Sequence, residues 1–176
     1  MKKLIIVTGV SCSGKTTYTN VYSTVTEIPV LHFDDLYEYA NKKTNYSKIK
    51  ECIDENEVVI LDAIMFGNDL DLSILRSHIT DDVEIQIDFI YGDIKTISQD
   101  QLHRSETSKG YDLGMTDLDK VIDNNTVVCN NLNKIMNNLL KANTVTKVKY
   151  IYRKESEYKV YDNDKDLLNK IGETNE

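Results

Sequence analysis

Short apolar runs rich in β-branched residues alternate along this chain with longer amphipathic stretches. Residues 3–9 (KLIIVTG) and 58–64 (VVILDAI) are almost continuously apolar, which is typical of strands buried on both faces of a sheet. Residues 28–35 (IPVLHFDD) predict another strand that runs into two acids, and residues 83–91 (VEIQIDFIY) alternate between apolar and polar side chains. The pattern therefore predicts four strands.

Two of the stretches between and after these strands, residues 67–79 and 116–141, have apolar residues at helical spacing. The sequence predicts helices over residues 15–25, 67–79, 94–104 and 116–141, with a polar loop over 105–114. Thr116 and Asp119 have the spacing of a capping box at the start of the longest helix. After that helix, the sequence predicts a β-hairpin over residues 147–162 and a short helix over residues 165–172.

The order of these elements indicates the class of fold. Strands that alternate with helices predict an α/β fold with a parallel sheet covered by helices on both faces, here followed by a C-terminal β-hairpin. The chain contains no internal repeat, linker or low-complexity segment. We therefore interpret residues 1–176 as a single domain.

The segment between the first strand and the first helix reads G-x-x-x-x-G-K-T, from Gly9 to Thr16. Glycines in such a phosphate-binding loop (P-loop) let the backbone fold around phosphate oxygens, and the helix N-terminus attracts the anion. We expect Lys15 to reach the β- and γ-phosphates and Thr16 to ligate Mg²⁺. The motif predicts a P-loop NTPase fold that binds ATP and Mg²⁺ through Gly9, Val10, Ser11, Cys12, Ser13, Gly14, Lys15, Thr16 and Thr17.

Acidic residues lie on three of the predicted strands, near the edge where open parallel sheets bind ligands. Asp34 follows the second strand, where a carboxylate can accept the proton of an attacking hydroxyl. Asp62 follows an apolar run and is a candidate to hold Mg²⁺ directly or through water. Asp35 and Asp88 are interpreted instead as helix caps or solvated turn acids.

The segments GVSCSGKTT, LHFDDLY, VVILDAI and LHRSETSKGYDL together resemble uridine kinase and related P-loop nucleoside kinases, over roughly residues 3–125. The resemblance implies that Asp34 is the base for a ribose hydroxyl and that Tyr37 contributes to the nucleoside pocket. It also matches Asp62 to the acid that ends a later strand of that family.

The same resemblance implies a lid over about residues 104–114. Arg104 and Lys109 would be its cations, and they would stabilise charge on the transferred phosphoryl group. Arg104 is thereby implied to be catalytic, and Lys109 to contact the nucleotide.

Charge and cysteine content narrow the range of partners. The chain carries 29 acids and 21 bases, for a formal net charge of −8, which disfavours long nucleic acid without excluding it. No apolar run approaches the roughly 20 residues that span a bilayer, so we expect no membrane partner. Three widely spaced cysteines form neither a disulfide framework nor a zinc pattern, which favours a cytoplasmic location.

These observations predict a phosphotransferase that moves the γ-phosphate of ATP to a hydroxyl of a nucleoside or similar small metabolite. One alternative is a nucleoside monophosphate or polynucleotide kinase. Another is a nucleotide-binding regulatory module with weak or no transfer activity. The lack of an N-K-x-D motif favours ATP over GTP, and both the acceptor and the oligomeric state stay open.

Overall fold

The computed structural model describes residues 1–38, 40, 43–64, 70–154 and 157–161. The elements in chain order are β1 (Lys3–Gly9), α1 (Lys15–Thr26), β2 (Val30–His32), α2 (Phe33–Leu36), β3 (Tyr37–Glu38), β4 (Lys43–Thr44), α3 (Tyr46–Glu55), β5 (Val58–Ile64), α4 (Leu72–His78), β6 (Glu84–Gly92), α5 (Ile94–Thr107), α6 (Leu118–Lys141), β7 (Lys147–Lys154) and β8 (Glu157–Tyr161). The predicted helix over residues 165–172 lies outside the described residues.

Six strands form one sheet in the order β2-β5-β1-β6-β7-β8. The first five are parallel, and β8 pairs antiparallel with β7 as the second strand of a hairpin. Strand β1 is central, with Ile5 opposite Ile60 of β5 on one side and Gln86 of β6 on the other. This arrangement confirms the predicted parallel sheet and C-terminal hairpin, and it brings the end of β1 beside the ends of β5 and β6.

Successive residues of β1 face opposite sides of the sheet and enter two different cores. Leu4 and Ile6 belong to a large cluster that also receives buried side chains from α3, α4, α5 and α6. Ile5 and Val7 belong to a smaller cluster, against which Tyr18 and Tyr22 of α1 pack. Helices therefore cover both faces of the sheet, as the sequence predicts.

The predicted strand over residues 28–35 is wrong in its second half. Strand β2 ends at His32, and Phe33–Leu36 form one helical turn. Phe33 and Leu36 are both buried, because residues three apart on a helical turn point to the same side. The turn places Asp34 and Asp35 near its N-terminus, where carboxylates are favoured.

Helix α3 and the short pair β3 and β4 have no counterpart among the sequence predictions. Helix α3 is amphipathic, and its two buried residues, Ile49 and Ile53, lie four positions apart on one face. Asn45 caps this helix by accepting a hydrogen bond from the Lys48 N–H. Helix α4 begins at Leu72, after the Asp71 cap; residues 67–69 of the predicted helix lie outside the described chain.

Helix α6 runs unbroken for 24 residues, but it begins two residues later than predicted. Its cap is Asp117, whose Oδ1 accepts from the N–H groups of Asp119 (3.0 Å) and Lys120 (3.4 Å). The predicted capping box at Thr116 and Asp119 is therefore wrong, because the cap is the residue that follows Thr116. Helix α5 continues to Thr107, three residues beyond its predicted end. Within the described residues, no helix is both long and apolar enough to cross a membrane.

We expect Asp117→Ala to lower the free energy of unfolding by about 1 kcal/mol, because it removes the acceptor of two otherwise unpaired N–H groups. Thr116→Ala is the matched control and should change it by less than about 0.5 kcal/mol. Urea unfolding of both variants measures the difference. Equal losses would contradict the assignment of the cap.

Candidate functional site

The P-loop joins β1 to α1 in a conformation that requires both of its glycines. Gly9 has φ of 153°, and a Cβ there would lie 2.5 Å from the carbonyl oxygen of Ile90. Gly14 has φ of 90°, and a Cβ there would lie 2.8 Å from the hydroxyl of Tyr158. Side chains at these positions would therefore meet both backbone strain and steric overlap.

The side chain of Lys15 hydrogen-bonds to the beginning of the P-loop. Its Nζ donates to the carbonyl oxygens of Gly9 (3.0 Å) and Val10 (2.8 Å). Burial lowers the pKa of this ammonium to about 8, although the nearby Cys12 and Asp62 raise it in part. The ammonium is held at the concave loop, where a phosphate would supply the opposite charge.

A cavity of about 520 Å³ opens at the P-loop. Its lining includes six residues of the P-loop together with one acid and three further side chains: Ser11, Cys12, Gly14, Lys15, Thr16, Thr17, Asp34, Arg104, Tyr111 and Arg153. Val10 and Ser13 are buried beneath it. The fold thus brings most of the predicted site residues to one cavity.

Asp34 reaches this cavity from the helical turn α2. Asp35, the next residue on the same turn, is also exposed but does not line the cavity. The two adjacent carboxylates therefore differ in what they face, and only Asp34 shares a cavity with Lys15 and Thr16.

Asp62 is fully buried on β5, beside β2. Its Oδ1 lies 3.2 Å from Nδ1 of His32, and its Oδ2 has no hydrogen-bond partner among the described residues. A buried carboxylate oxygen without a partner is costly unless a cation or water meets it. Asp62 and the exposed hydroxyl of Thr16 are hard oxygen donors, and they fit the requirements of Mg²⁺.

The predicted lid lies against the P-loop. The Arg104 guanidinium of α5 lies 4.6 Å from the ring centroid of Tyr111, whose hydroxyl donates to Ser11 Oγ at 3.2 Å. Both residues line the cavity, so a lid cation faces the phosphate-binding loop. Lys109 is exposed in the connection after α5 and is not among the cavity's lining residues.

A buried polar network anchors α5 beneath the lid. Gln101 donates from Nε2 to the carbonyl oxygen of Ser11 at 2.9 Å. Its Oε1 accepts from Nδ2 of Asn125 (3.0 Å), which also donates to Ser98 Oγ (2.9 Å). Gln101, Asn125 and Ser98 are all buried, so α5 and α6 are joined by hydrogen bonds shielded from water, and a partly buried bond extends from α5 to the P-loop.

Two other predicted residues lie elsewhere. The Tyr37 ring packs 5.7 Å from that of Phe33 and against the larger core, outside the lining of the cavity. The interpretation of Asp88 as a helix cap or solvated turn acid is wrong, because Asp88 is buried within β6 and accepts hydrogen bonds from Tyr18 (2.9 Å) and Gln86 (2.5 Å). Burial raises the pKa of Asp88, and its role beneath α1 is structural.

Comparison with known proteins supports the fold. No family model matches the chain, and no curated protein matches it. A "putative kinase" from Chloroflexus aurantiacus is 20% identical with a TM-score of 0.53, covering 68% of this chain and 77% of that one. A gluconokinase from Sinorhizobium meliloti is 14% identical (TM-score 0.40, covering 76% and 95%). A shikimate kinase from Bacteroides thetaiotaomicron is 15% identical (TM-score 0.41, covering 97% and 95%).

The first of these likenesses shows an α/β fold with a mostly parallel central sheet. These solved structures are kinases by name, whereas the narrower resemblance to uridine kinase is not confirmed.

Two lining residues were absent from the sequence prediction. Tyr111 lies inside the predicted lid, yet nothing in its sequence context marks it as a partner of Ser11. Arg153 belongs to a cluster of basic residues on β7, and its Nη1 donates to the carbonyl oxygen of Cys12 at 3.2 Å. Arg153 reaches the loop because β7 pairs with β6. The residues around Arg153 in the sequence do not indicate that pairing.

Proposed function

We propose that this protein is a kinase that transfers the γ-phosphate of ATP to a hydroxyl of a nucleoside or similar small metabolite. The observation that carries the proposal is that Asp34 lines the same cavity as Lys15, Thr16 and Arg104. Cations and N–H donors bind phosphate, whereas a carboxylate repels it. A carboxylate beside a phosphate site is therefore explained if it removes a proton from the acceptor.

The chain's own groups would hold the phosphates. The N–H groups of the P-loop and the N-terminus of α1 bind the phosphate oxygens, and the ammonium of Lys15 lies between the β- and γ-phosphates. Arg104 stabilises the charge on the transferred group from the lid side, and Lys109 would join it when the connection after α5 closes. Thr16 and Asp62 would hold Mg²⁺, which when bound neutralises phosphate charge.

The transfer step conserves atoms and charge. The acceptor oxygen forms a bond to the γ-phosphorus, the bond from that phosphorus to the bridging oxygen breaks, and ADP leaves. The acceptor's proton passes to the carboxylate of Asp34. Tyr37 follows the same helical turn but lies outside the lining of the cavity, so its contact with the acceptor stays a prediction.

A transfer screen tests this proposal. The protein is incubated with ATP and Mg²⁺ and with pools of nucleosides, nucleoside monophosphates, a short oligonucleotide, gluconate and shikimate. Mass spectrometry then detects a gain of one phosphate, with Lys15→Ala as control. A phosphorylated monophosphate or oligonucleotide would move the acceptor class to the larger substrates. ATP binding with neither ADP nor a phosphorylated product would overturn the kinase and favour a regulatory module.

The pKa of Lys15 gives a pH prediction for nucleotide binding. Below pH 8 the ammonium is already charged, but above pH 8 a proton must be taken up when the phosphate binds. We therefore expect the Kd for ATP to rise with pH above 8, approaching about tenfold per pH unit. Titrations between pH 7 and 9.5 measure this slope. Lys15→Arg keeps its charge and should flatten the profile, and a flat wild-type profile would contradict the prediction.

A further inference from the structure

The C-terminal hairpin contacts the P-loop through two side chains that face each other across its strands. Arg153 of β7 and Tyr158 of β8 are register partners. The Nη1 of Arg153 donates to the carbonyl oxygen of Cys12 at 3.2 Å, and the Tyr158 hydroxyl donates to the carbonyl oxygen of Gly14 at 3.1 Å. Two carbonyl oxygens of the loop are thus held by the hairpin.

Holding a carbonyl oxygen also orients the N–H of the next residue. In a trans peptide the C=O of one residue and the N–H of the next point in opposite directions. The Gly14 carbonyl accepts the Tyr18 N–H of α1 at 2.9 Å, and the Tyr158 hydroxyl is a second donor that helps to keep the Lys15 N–H directed away from the hairpin. That N–H belongs to the first turn of α1, where N–H groups have no partner within the helix and are the donors that bind an anion.

The hairpin also occupies the space beside Gly14. A Cβ on Gly14 would lie 2.8 Å from the Tyr158 hydroxyl and 2.9 Å from Cδ of Arg153, so the contact leaves no gap. The ring of Tyr158 packs 5.4 Å from that of Tyr18, which donates to the buried Asp88. The packing of Tyr158 against Tyr18 therefore restricts its movement away from the P-loop.

We propose that the β7–β8 hairpin braces the P-loop, with Arg153 and Tyr158 as positioning residues that hold the Cys12 and Gly14 carbonyls so that the loop's N–H groups are aimed at a phosphate chain. This deepens the proposed kinase function, on which the identity of the ligand rests. Tyr158 gives the cleaner test, because Arg153 lines the cavity and Tyr158 does not.

The test compares Tyr158→Phe with Tyr161→Phe in the full chain. Both changes remove one hydroxyl from β8, but the Tyr161 hydroxyl has no hydrogen-bond partner among the described residues. Arg153→Met is compared with Lys154→Met, which removes the neighbouring exposed charge. Hydrogen exchange of residues 9–17 is measured in the free proteins, and the Kd is measured for both ATP and inorganic pyrophosphate.

We expect Tyr158→Phe to speed exchange in residues 9–17 while residues 84–92 keep their wild-type rates. Its Kd should rise about three- to tenfold, and equally for ATP and pyrophosphate, because the lost alignment concerns the phosphate chain. Arg153→Met should raise the Kd about tenfold or more, since a charged donor is removed. The two controls should stay within about twofold of wild type.

The brace would be overturned if Tyr158→Phe left loop exchange and both Kd values at wild-type levels. An effect on ATP without an effect on pyrophosphate would also overturn it, since it would place the contact at the nucleobase. If the wild-type protein binds neither ligand, the kinase proposal fails. Loop exchange then decides the brace alone: faster exchange in Tyr158→Phe but not in Tyr161→Phe supports it, and equal rates reject it.

Discussion

Lys15→Ala is expected to lower phosphate transfer by about 10³-fold or more, since it removes the one lysine that lines the cavity in the described part of the chain. The ammonium is poised at the carbonyl oxygens of Gly9 and Val10, at the centre of the loop. Its loss removes attraction for the phosphates in the ground state and in the transition state. Both the Kd for ATP and the rate of single-turnover transfer should therefore be affected.

The matched control is Lys120→Ala, which removes an exposed lysine from α6. Thermal unfolding of both variants shows whether the loop change has unfolded the protein. If Lys15→Ala is folded and retains wild-type transfer, the assignment of the P-loop as the nucleotide site is wrong.

Asp34→Asn is expected to lower transfer by about 10²- to 10⁴-fold, the usual contribution of a general base. An amide has nearly the shape of the carboxylate but cannot take the acceptor's proton. Because Asp34 faces the cavity from α2 and is not part of the loop, the Kd for ATP should stay close to that of the wild type. Single-turnover kinetics together with equilibrium binding separate the two quantities.

Asp35→Asn provides the sharpest control for this prediction. The residue is adjacent, exposed and on the same helical turn, but it does not line the cavity. Transfer by this variant should stay within about twofold of wild type. An equal loss in both variants would mean that the charge of the turn matters and that neither carboxylate is a specific base.

The parts of the site that the sequence predicts are those carried by contiguous residues. The P-loop is such a part, because its strand, glycines, lysine and helix follow one another within 24 residues from Lys3 to Thr26. The parallel sheet is another, since alternating strands and helices leave few other ways to bury their apolar faces. Asp34 was placed at the right edge even though the element that carries it is a helical turn rather than a strand.

The remaining features depend on contacts between distant segments. Arg153 and Tyr111 reach the cavity through strand order and through the path of the lid, and neither is encoded near those residues. Helix α3 was not predicted, although Ile49 and Ile53 lie four residues apart among charged neighbours, a spacing that indicates an amphipathic helix. The capping box at Thr116 was wrong because Asp117, one residue later, offers a carboxylate to the same helix end.

The buried network that joins α5, α6 and the P-loop limits which substitutions this chain can accept one at a time. Gln101 uses both ends of its amide, one on the Ser11 carbonyl and one on Asn125. Losing either side chain alone leaves the amide of the other without its partner, whereas replacing both by apolar residues of similar shape removes both ends of that bond, and only the partly buried Ser11 carbonyl loses its donor. Positions 101 and 125 should therefore change together across related sequences, although 24 residues separate them along the chain.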